Sequence, residues 1–361
     1  LNKQKKNKHF GVDYGRRKVN NMEKALDFDD ILLVPYNSDM TSRDEVDLSV
    51  NLSSNLKLKF PIIASPMKGI ISLSMIAILS EMGGIGIMHR FYDTDEEWKG
   101  DLDWCRSNAE NFGVSIKLDT PPNKVLWALN SGAKIICIDV ANGYLEKVRE
   151  VVRYVKDIRD SHKIQCLIMA GSVVTADGAK GLVEAGTDLV RVGIGSGNLC
   201  TTRIATGVGM PQLTAIRNCS GWIYSSVDNN SRYYDSKITY RYTVADGGIR
   251  NSGDIVKAIA FGADCVMIGS MFAKAYESSH NGIIYGMASR KLQEEYYHSV
   301  KSVEGIEQEV SKQVALSDMI EEICWDIKSA CTYLDAPSIS ELKRVSSLRA
   351  AGNRLYVEKE R

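Results

Sequence analysis

One thiol in this sequence stands where a nucleophile would. The stretch Gly193-Ile-Gly195-Ser-Gly197-Asn-Leu-Cys200-Thr-Thr202-Arg is a glycine-rich loop that delivers a single cysteine just after an apolar run. A thiol is only weakly ionised at neutral pH, so attack on an electrophilic carbon requires loop amides or a neighbouring cation, Arg203 or Arg191, to favour the thiolate. Further on, Asp246-Gly247-Gly248 and Gly269-Ser270 each close another apolar run. Glycines let backbone N–H groups approach an anion, a helix N-terminus adds a favourable dipole, and Ser270 can donate a hydroxyl, so these turns point to a phosphate-bearing ligand. One glycine pair alone reads better as a tight strand-to-helix turn. Two such turns on successive units favour the anion. Cys137, Cys166 and Cys265 lie within apolar runs and read as buried, inert packing residues.

The elements that must position these groups follow a regular rhythm. From residue 61 onward, short β-branched runs alternate with longer amphipathic stretches, as expected of parallel strands buried on both faces and joined by helices. Eight runs are present, at 61–67, 85–89, 113–117, 134–139, 165–170, 189–193, 242–246 and 265–269. Eight units predict a closed (β/α)8 TIM barrel in an α/β chain, with the active site at the carboxyl ends of its strands. A doubly wound open sheet is the alternative, but it would need a reversal of strand order that so many consecutive units do not suggest. Segments 123–131, 144–161, 176–185 and 252–261 repeat apolar residues at helical spacing. The polar stretch 221–240 reads as an inserted loop. Residues 275–310 read as a short, mobile flap, followed by an amphipathic helix over 316–329 as a C-terminal extension.

Composition limits the partners. The 361 residues are 44% hydrophobic and 25% charged, with 45 basic against 45 acidic side chains, so no global field favours nucleic acid or an anionic membrane. The eight cysteines are scattered, with no C-x-x-C pair, which fits a reducing cytoplasm. No apolar run reaches the length of a membrane span. Residues 1–21 are expected to be a basic, solvated leader, with Met22 a candidate start, residues 22–345 one catalytic barrel, and 346–361 a polar tail.

Taken together, the motifs resemble the IMP dehydrogenase / GMP reductase family. They are Leu26-Asp-Phe-Asp-Asp-Ile-Leu-Leu33, Ala64-Ser-Pro-Met67, Gly83-Gly-Ile-Gly86, the Gly193 to Arg203 loop, Gly207-Val-Gly-Met-Pro-Gln212, Ala245-Asp-Gly-Gly-Ile-Arg250 and Gly286-Met-Ala-Ser289. The resemblance implies a barrel that binds a purine nucleoside monophosphate and uses Cys200 covalently at C2 of the base, with Thr202 assisting proton transfer. It implies that Asp246 holds the ribose hydroxyls, with Gly247 beside it among the substrate-binding residues. Asn198, Gly248, Gly269 and Ser270 would surround the phosphate. Ser65, Met67, Tyr285, Gly286 and Met287 would line the nucleotide pocket, with Glu304 facing the N1 edge of the base. Asp139, Ala141, Ser172 and Arg191 would lie toward a nicotinamide cofactor, NADPH or NAD. Carbonyls of Gly195, Gly197 and Cys200 match a potassium site, and family members usually form homotetramers.

Direction is the open question. The motifs Ser42-Arg-Asp-Glu-Val-Asp-Leu48, Met88-His-Arg-Phe91 and Ser329-Ala-Cys-Thr-Tyr333 look like reductases, while Ala64-Ser-Pro-Met67 and Val303-Glu-Gly-Ile-Glu307 look like dehydrogenases. The Arg-Tyr pair of a dehydrogenase flap is absent from 289–302, and Arg290 stands where a reductase glutamate is expected. An arginine cannot accept a proton at neutral pH, so Glu294, one helical turn on, or Arg290 as a water-activating cation, is expected to substitute. Ser172 stands where the family usually has Asn, and Lys68 where Asp is frequent. The balance favours GMP reductase over IMP dehydrogenase. A catalytically inactive nucleotide-binding protein and a flavin-dependent barrel oxidase are the remaining readings.

Overall fold

A computed structural model describes residues 24–228 and 241–344. The basic leader, the second half of the expected insertion and the polar tail lie outside the described residues. An antiparallel hairpin, β1 (Val50–Ser53) and β2 (Leu56–Leu58), precedes eight parallel strands. These are β3 (Ile62–Ala64), β4 (Ile85–Met88), β5 (Phe112–Ile116), β6 (Ile135–Ile138), β7 (Leu167–Val173), β8 (Leu189–Val192), β9 (Tyr242–Asp246) and β10 (Cys265–Ile268). Each pairs with the next, and β10 returns to β3 through Val266 opposite Ile62, closing the barrel. Strands such as Ile135–Ile138 are buried at every position, so their continuous β-branched composition follows from having core on both faces.

Helices α1 (Leu73–Met82), α2 (Asp95–Asn108), α3 (Pro122–Asn130), α4 (Glu146–Ser161) and α5 (Ala176–Ala185) link the first strands. Their starts are written in side chains: Ser72 accepts from the Met75 N–H, Thr94 from Glu97 and Thr175 from Gly178. Gly83 and Gly186 end α1 and α5 in the left-handed region at φ 89° and 113°. A short α6 (Thr202–Thr206) and then α7 (Gln212–Asp228) connect β8 to β9, α8 (Ser252–Ala260) precedes β10, and α10 below completes the outer ring against α8 and α1.

Three segments differ from the sequence expectation. Residues 221–228 are not loop but the last two turns of α7, because Cys219 and Ile223, four apart, are buried and Tyr224 donates to Asp264 Oδ1 at 3.0 Å. The flap is ordered into an antiparallel pair, β11 (Ile283–Tyr285) with β12 (Glu307–Glu309), and a helical turn, α9 (Arg290–Leu292), that continues as a π-type turn to Tyr297. The C-terminal helix, α10 (Leu316–Tyr333), runs one turn beyond its expected end and is followed by α11 (Ile339–Arg344).

Candidate active site

A cavity of about 250 Å³ opens at the carboxyl ends of the barrel strands. Ser65 and Met67 reach it from the end of β3, Asp139 and Ala141 from β6, and Ser172 from an irregularity in the β7 ladder. Cys200 and Thr202 come from the loop after β8, Asp246 to Gly248 from β9, and Gly269 with Ser270 from β10. The flap contributes Gly286, Met287 and Glu304. Asn198, Arg191, Gly195 and Gly197 complete the expected set in the lining.

The thiol loop holds its shape through glycine and backbone bonds. At Gly193, φ is 145°, and any side-chain carbon would collide with the Asp246 carbonyl, so this position admits only glycine. Cys200 N–H closes a turn on the Gly197 carbonyl at 2.9 Å. The flap's return strand then zips onto the loop: Thr201 N–H donates to the Glu304 carbonyl at 2.9 Å and Ile306 N–H to Leu199 at 3.0 Å. On its other side the same strand meets the outgoing chain, where Glu304 N–H donates to Ala288 at 3.1 Å and Gly286 N–H to Ile306 at 3.0 Å. Gly305 lies between them, with room for no Cβ that would not crowd Ser289 N at 3.1 Å and Gly286 Cα at 3.2 Å.

That pairing sets three side chains in line. Cys200 Sγ–H donates to Thr202 Oγ1 at 3.2 Å, and Thr202 Oγ1–H donates to Glu304 Oε2 at 2.7 Å. The chain S–H to O–H to carboxylate is a path along which a proton can be passed. Cys200 is part-exposed, whereas Cys137 and Cys166 are buried and burial pushes both thiols up to about 12, with Cys265 higher still. The inert role expected of those three holds.

Beneath the cavity runs an alternating row of charges. Arg90 Nε donates to Asp139 Oδ2 at 3.0 Å, Arg191 Nη1 to Asp139 Oδ1 at 3.1 Å, and Arg191 Nη2 to Asp246 Oδ2 at 2.7 Å. Burial opposes the charge of Asp139, but Arg90 and Arg191 outweigh it and hold the carboxyl below the usual range. Burial likewise opposes the Arg191 charge, and Asp246, with Asp139, more than offsets it. Both Arg191 bonds to Asp246 fall on Oδ2, so Oδ1 is the oxygen left for a ligand hydroxyl. At the opposite end Asn198 Nδ2 donates to Ser270 Oγ at 3.3 Å beside the Gly247-Gly248 turn, whose φ angles are 89° and 81°.

Some expected residues stand elsewhere. Arg290 and Glu294 pair with each other at 3.6 Å on the flap surface, 65% and 57% exposed, and line no part of the cavity. Tyr285 is buried with Phe91 and Leu292 and is also absent from the lining. Arg203, offered as a cation for the thiol, bonds instead to the Ile194 and Met210 carbonyls and to Asp27, while Arg191 is committed to its two carboxylates. Arg90 and Ser196 line the cavity without having been singled out. Arg90 stands two residues after the end of β4, so the rule of inspecting strand ends would have found it.

The family model described as the IMP dehydrogenase / GMP reductase domain matches residues 25–359. A GMP reductase of Caenorhabditis elegans is 34% identical over 359 residues, covering 93% of this chain and 95% of the relative. A GMP reductase of Buchnera aphidicola is 35% identical over 347 residues, covering 90% and 94%, and GMP reductase 2 of Homo sapiens is 34% identical over 338 residues, covering 88% and 92%. Joined to a closed barrel with one cysteine loop at its mouth, these matches show that the chain belongs to the IMP dehydrogenase / GMP reductase family.

Proposed function

We propose that the protein is a GMP reductase, converting GMP, NADPH and two protons to IMP, ammonium and NADP⁺. The observation that carries this reading is the hydrogen-bonded row Cys200, Thr202, Glu304, which supplies a nucleophile and a proton path without the long flap that water activation requires. Cys200 gives its proton to Thr202 as Thr202 gives its own to Glu304, and the sulfur adds to C2 of the base. Glu304 then returns the proton through the Thr202 hydroxyl to the 2-amino nitrogen, the C2–N bond breaks, and ammonia leaves. A nicotinamide held beside Asp139, Ala141 and Ser172 would supply the hydride to C2; the C–S bond then breaks, and the released Cys200 thiolate takes a proton from solvent to regain the S–H with which the cycle began. In this scheme Glu304 takes the proton role first sought in Glu294 or Arg290. The names of the relatives, GMP reductases in each case, support the reductive direction.

For the substrate, Asp246 Oδ1 receives ribose hydroxyls, and the turns at Gly247-Gly248 and Gly269-Ser270 with Asn198 hold the phosphate. Ser65, Met67, Gly286 and Met287 flank the base. For the cofactor, the small side chains Ala141 and Ser172 beside an ionised Asp139 fit a flat ring and a ribose hydroxyl, with Arg90 and Arg191 fixing the carboxylate. Potassium takes backbone carbonyls in place of water. Gly195, Gly197 and Cys200 supply three on one loop, Gly197 also accepting the Cys200 N–H. No step above needs the ion, and restoration of rate by potassium after dialysis into sodium tests it. Four copies in solution are expected from the family resemblance, and sedimentation tests that number.

The experiment is direct: purified protein with GMP and NADPH, or with IMP and NAD, followed by reduced-cofactor absorbance. Consumption of NADPH with GMP is expected. Turnover confined to IMP and NAD would reverse the direction, and nucleotide binding without turnover would leave a binding protein.

A further inference from the structure

Gln212 lies outside the cavity lining, yet it joins the two strands that carry the chemistry. The β8–β9 ladder ends at Val192 opposite Ala245. Beyond that pair the regular pairing stops, one chain running on toward Cys200 and the other turning at Gly247, with the two still in contact where Gly247 meets Ser196 and Gly197. Where the next ladder bond would fall, the Gln212 side chain enters from the start of α7. Its Nε2 donates to the Val192 carbonyl at 2.7 Å and to the Asp246 carbonyl at 3.1 Å. Ser196, inside the thiol loop, donates its hydroxyl to the same Asp246 carbonyl at 3.0 Å. One carbonyl oxygen thus receives both donors, and both hydrogens of one amide are used.

The orientation of this amide is dictated, since a flip would set Oε1 against two carbonyls. Gln212 is fully buried, and its Oε1 has no hydrogen-bond partner among the described residues. Its two N–H groups instead fix the start of the thiol loop against the residue whose carboxylate receives the ribose. A nucleotide bound at Asp246 must present C2 to Cys200, and small errors in such spacing are costly to a bond-forming step.

We propose that Gln212, with Ser196, is a positioning residue that sets the distance between the Cys200 sulfur and the Asp246 carboxylate, and so acts on covalent attack more than on nucleotide binding. This rests on the reading of Cys200 as nucleophile and Asp246 as ribose anchor. The test uses the full chain and a purine nucleoside monophosphate bearing a leaving group at C2. Thiolate addition to C2 and loss of that group with its electron pair leave a stable adduct, which mass spectrometry locates. For Gln212→Met the limiting rate of Cys200 labelling should fall at least tenfold, with the half-saturating nucleotide concentration changed less than threefold. Ser196→Ala should do the same more weakly, and the double variant should lose less than the product of the two, because both donors serve one carbonyl. Gln212→Glu should label faster relative to wild type as pH falls, since a protonated carboxyl regains a donor. An unchanged limiting rate in Gln212→Met, or a loss confined to half-saturation, overturns the proposal. Should Gln212→Met fail to fold, Ser196→Ala and Gln212→Glu carry the same comparison. A wild-type protein that binds the probe but is not labelled at Cys200 overturns the functional reading itself.

Discussion

In the proposed mechanism, proton traffic at Cys200 runs through a hydroxyl 3.2 Å from the sulfur and a carboxylate 2.7 Å beyond it. Positioned acid–base groups contribute about 10²–10⁴-fold, so Glu304→Gln, which keeps the shape and removes the acceptor, should lower kcat by about that factor with little change in KM for GMP. Steady-state kinetics under saturating NADPH measures it. Arg290→Ala and Glu294→Ala, by contrast, should each change kcat less than about twofold, because an exposed pair of this kind is worth under about 1 kcal/mol. Arg191 belongs to another class. Removing one partner of a buried ion pair costs about 3–5 kcal/mol because the charge left behind is uncompensated. Arg191→Met strands Asp246 and leaves Asp139 with only Arg90, so its urea midpoint should fall by that order and KM should rise for both substrates.

At the scale of elements, the flap's return strand is what brings Glu304 to the thiol. Gly305 is the point of closest approach, and a methyl group there meets Ser289 N and Gly286 Cα at 3.1 and 3.2 Å. Gly305→Ala should therefore lower kcat while leaving the thermal midpoint within a few degrees, a split that calorimetry and kinetics together detect. The same strand shows what sequence can and cannot reveal. Barrel strands were legible because two-sided burial demands unbroken β-branched runs, and strand ends then marked Cys200, Asp246 and Ser270. β12 was not, since Glu307, Gln308 and Glu309 are all exposed and show no alternation. The last turns of α7 were misread because Ser, Tyr and Asn are poor helix formers, while the burial of Ile223 and the Tyr224 bond to Asp264 that hold them are tertiary. Glu304 was found through a motif, but its bond to Thr202 is visible only once the flap folds back.

For the molecule as a whole, a segment before the barrel is fastened to the catalytic face. Phe28 is buried, with its ring edge against Gly248, and Lys257 Nζ donates to the Phe28 carbonyl at 2.8 Å. Truncating a buried Phe to Ala costs about 3–5 kcal/mol, and here the cavity would open beneath the Gly247-Gly248 turn proposed to hold the phosphate, so Phe28→Ala should also weaken nucleotide binding. Stability should vary with pH through His89, whose burial, with Lys68 nearby, pushes it down to about 4 from an ordinary 6.5. The unfolded chain then takes the proton first as pH falls. Stability is full above about pH 6.5 and declines by up to about 3 kcal/mol toward pH 4. Urea midpoints across that window should slope less steeply in His89→Gln. The double seam at Gly286 to Ser289 and Glu304 to Ile306 has a consequence for anyone who wishes to retarget this enzyme. It offers two splice points, so foreign segments belong between them, within 290–303, and must restore the buried Leu292 side chain and the Gln293 bond to the Ala288 carbonyl that brace the turn.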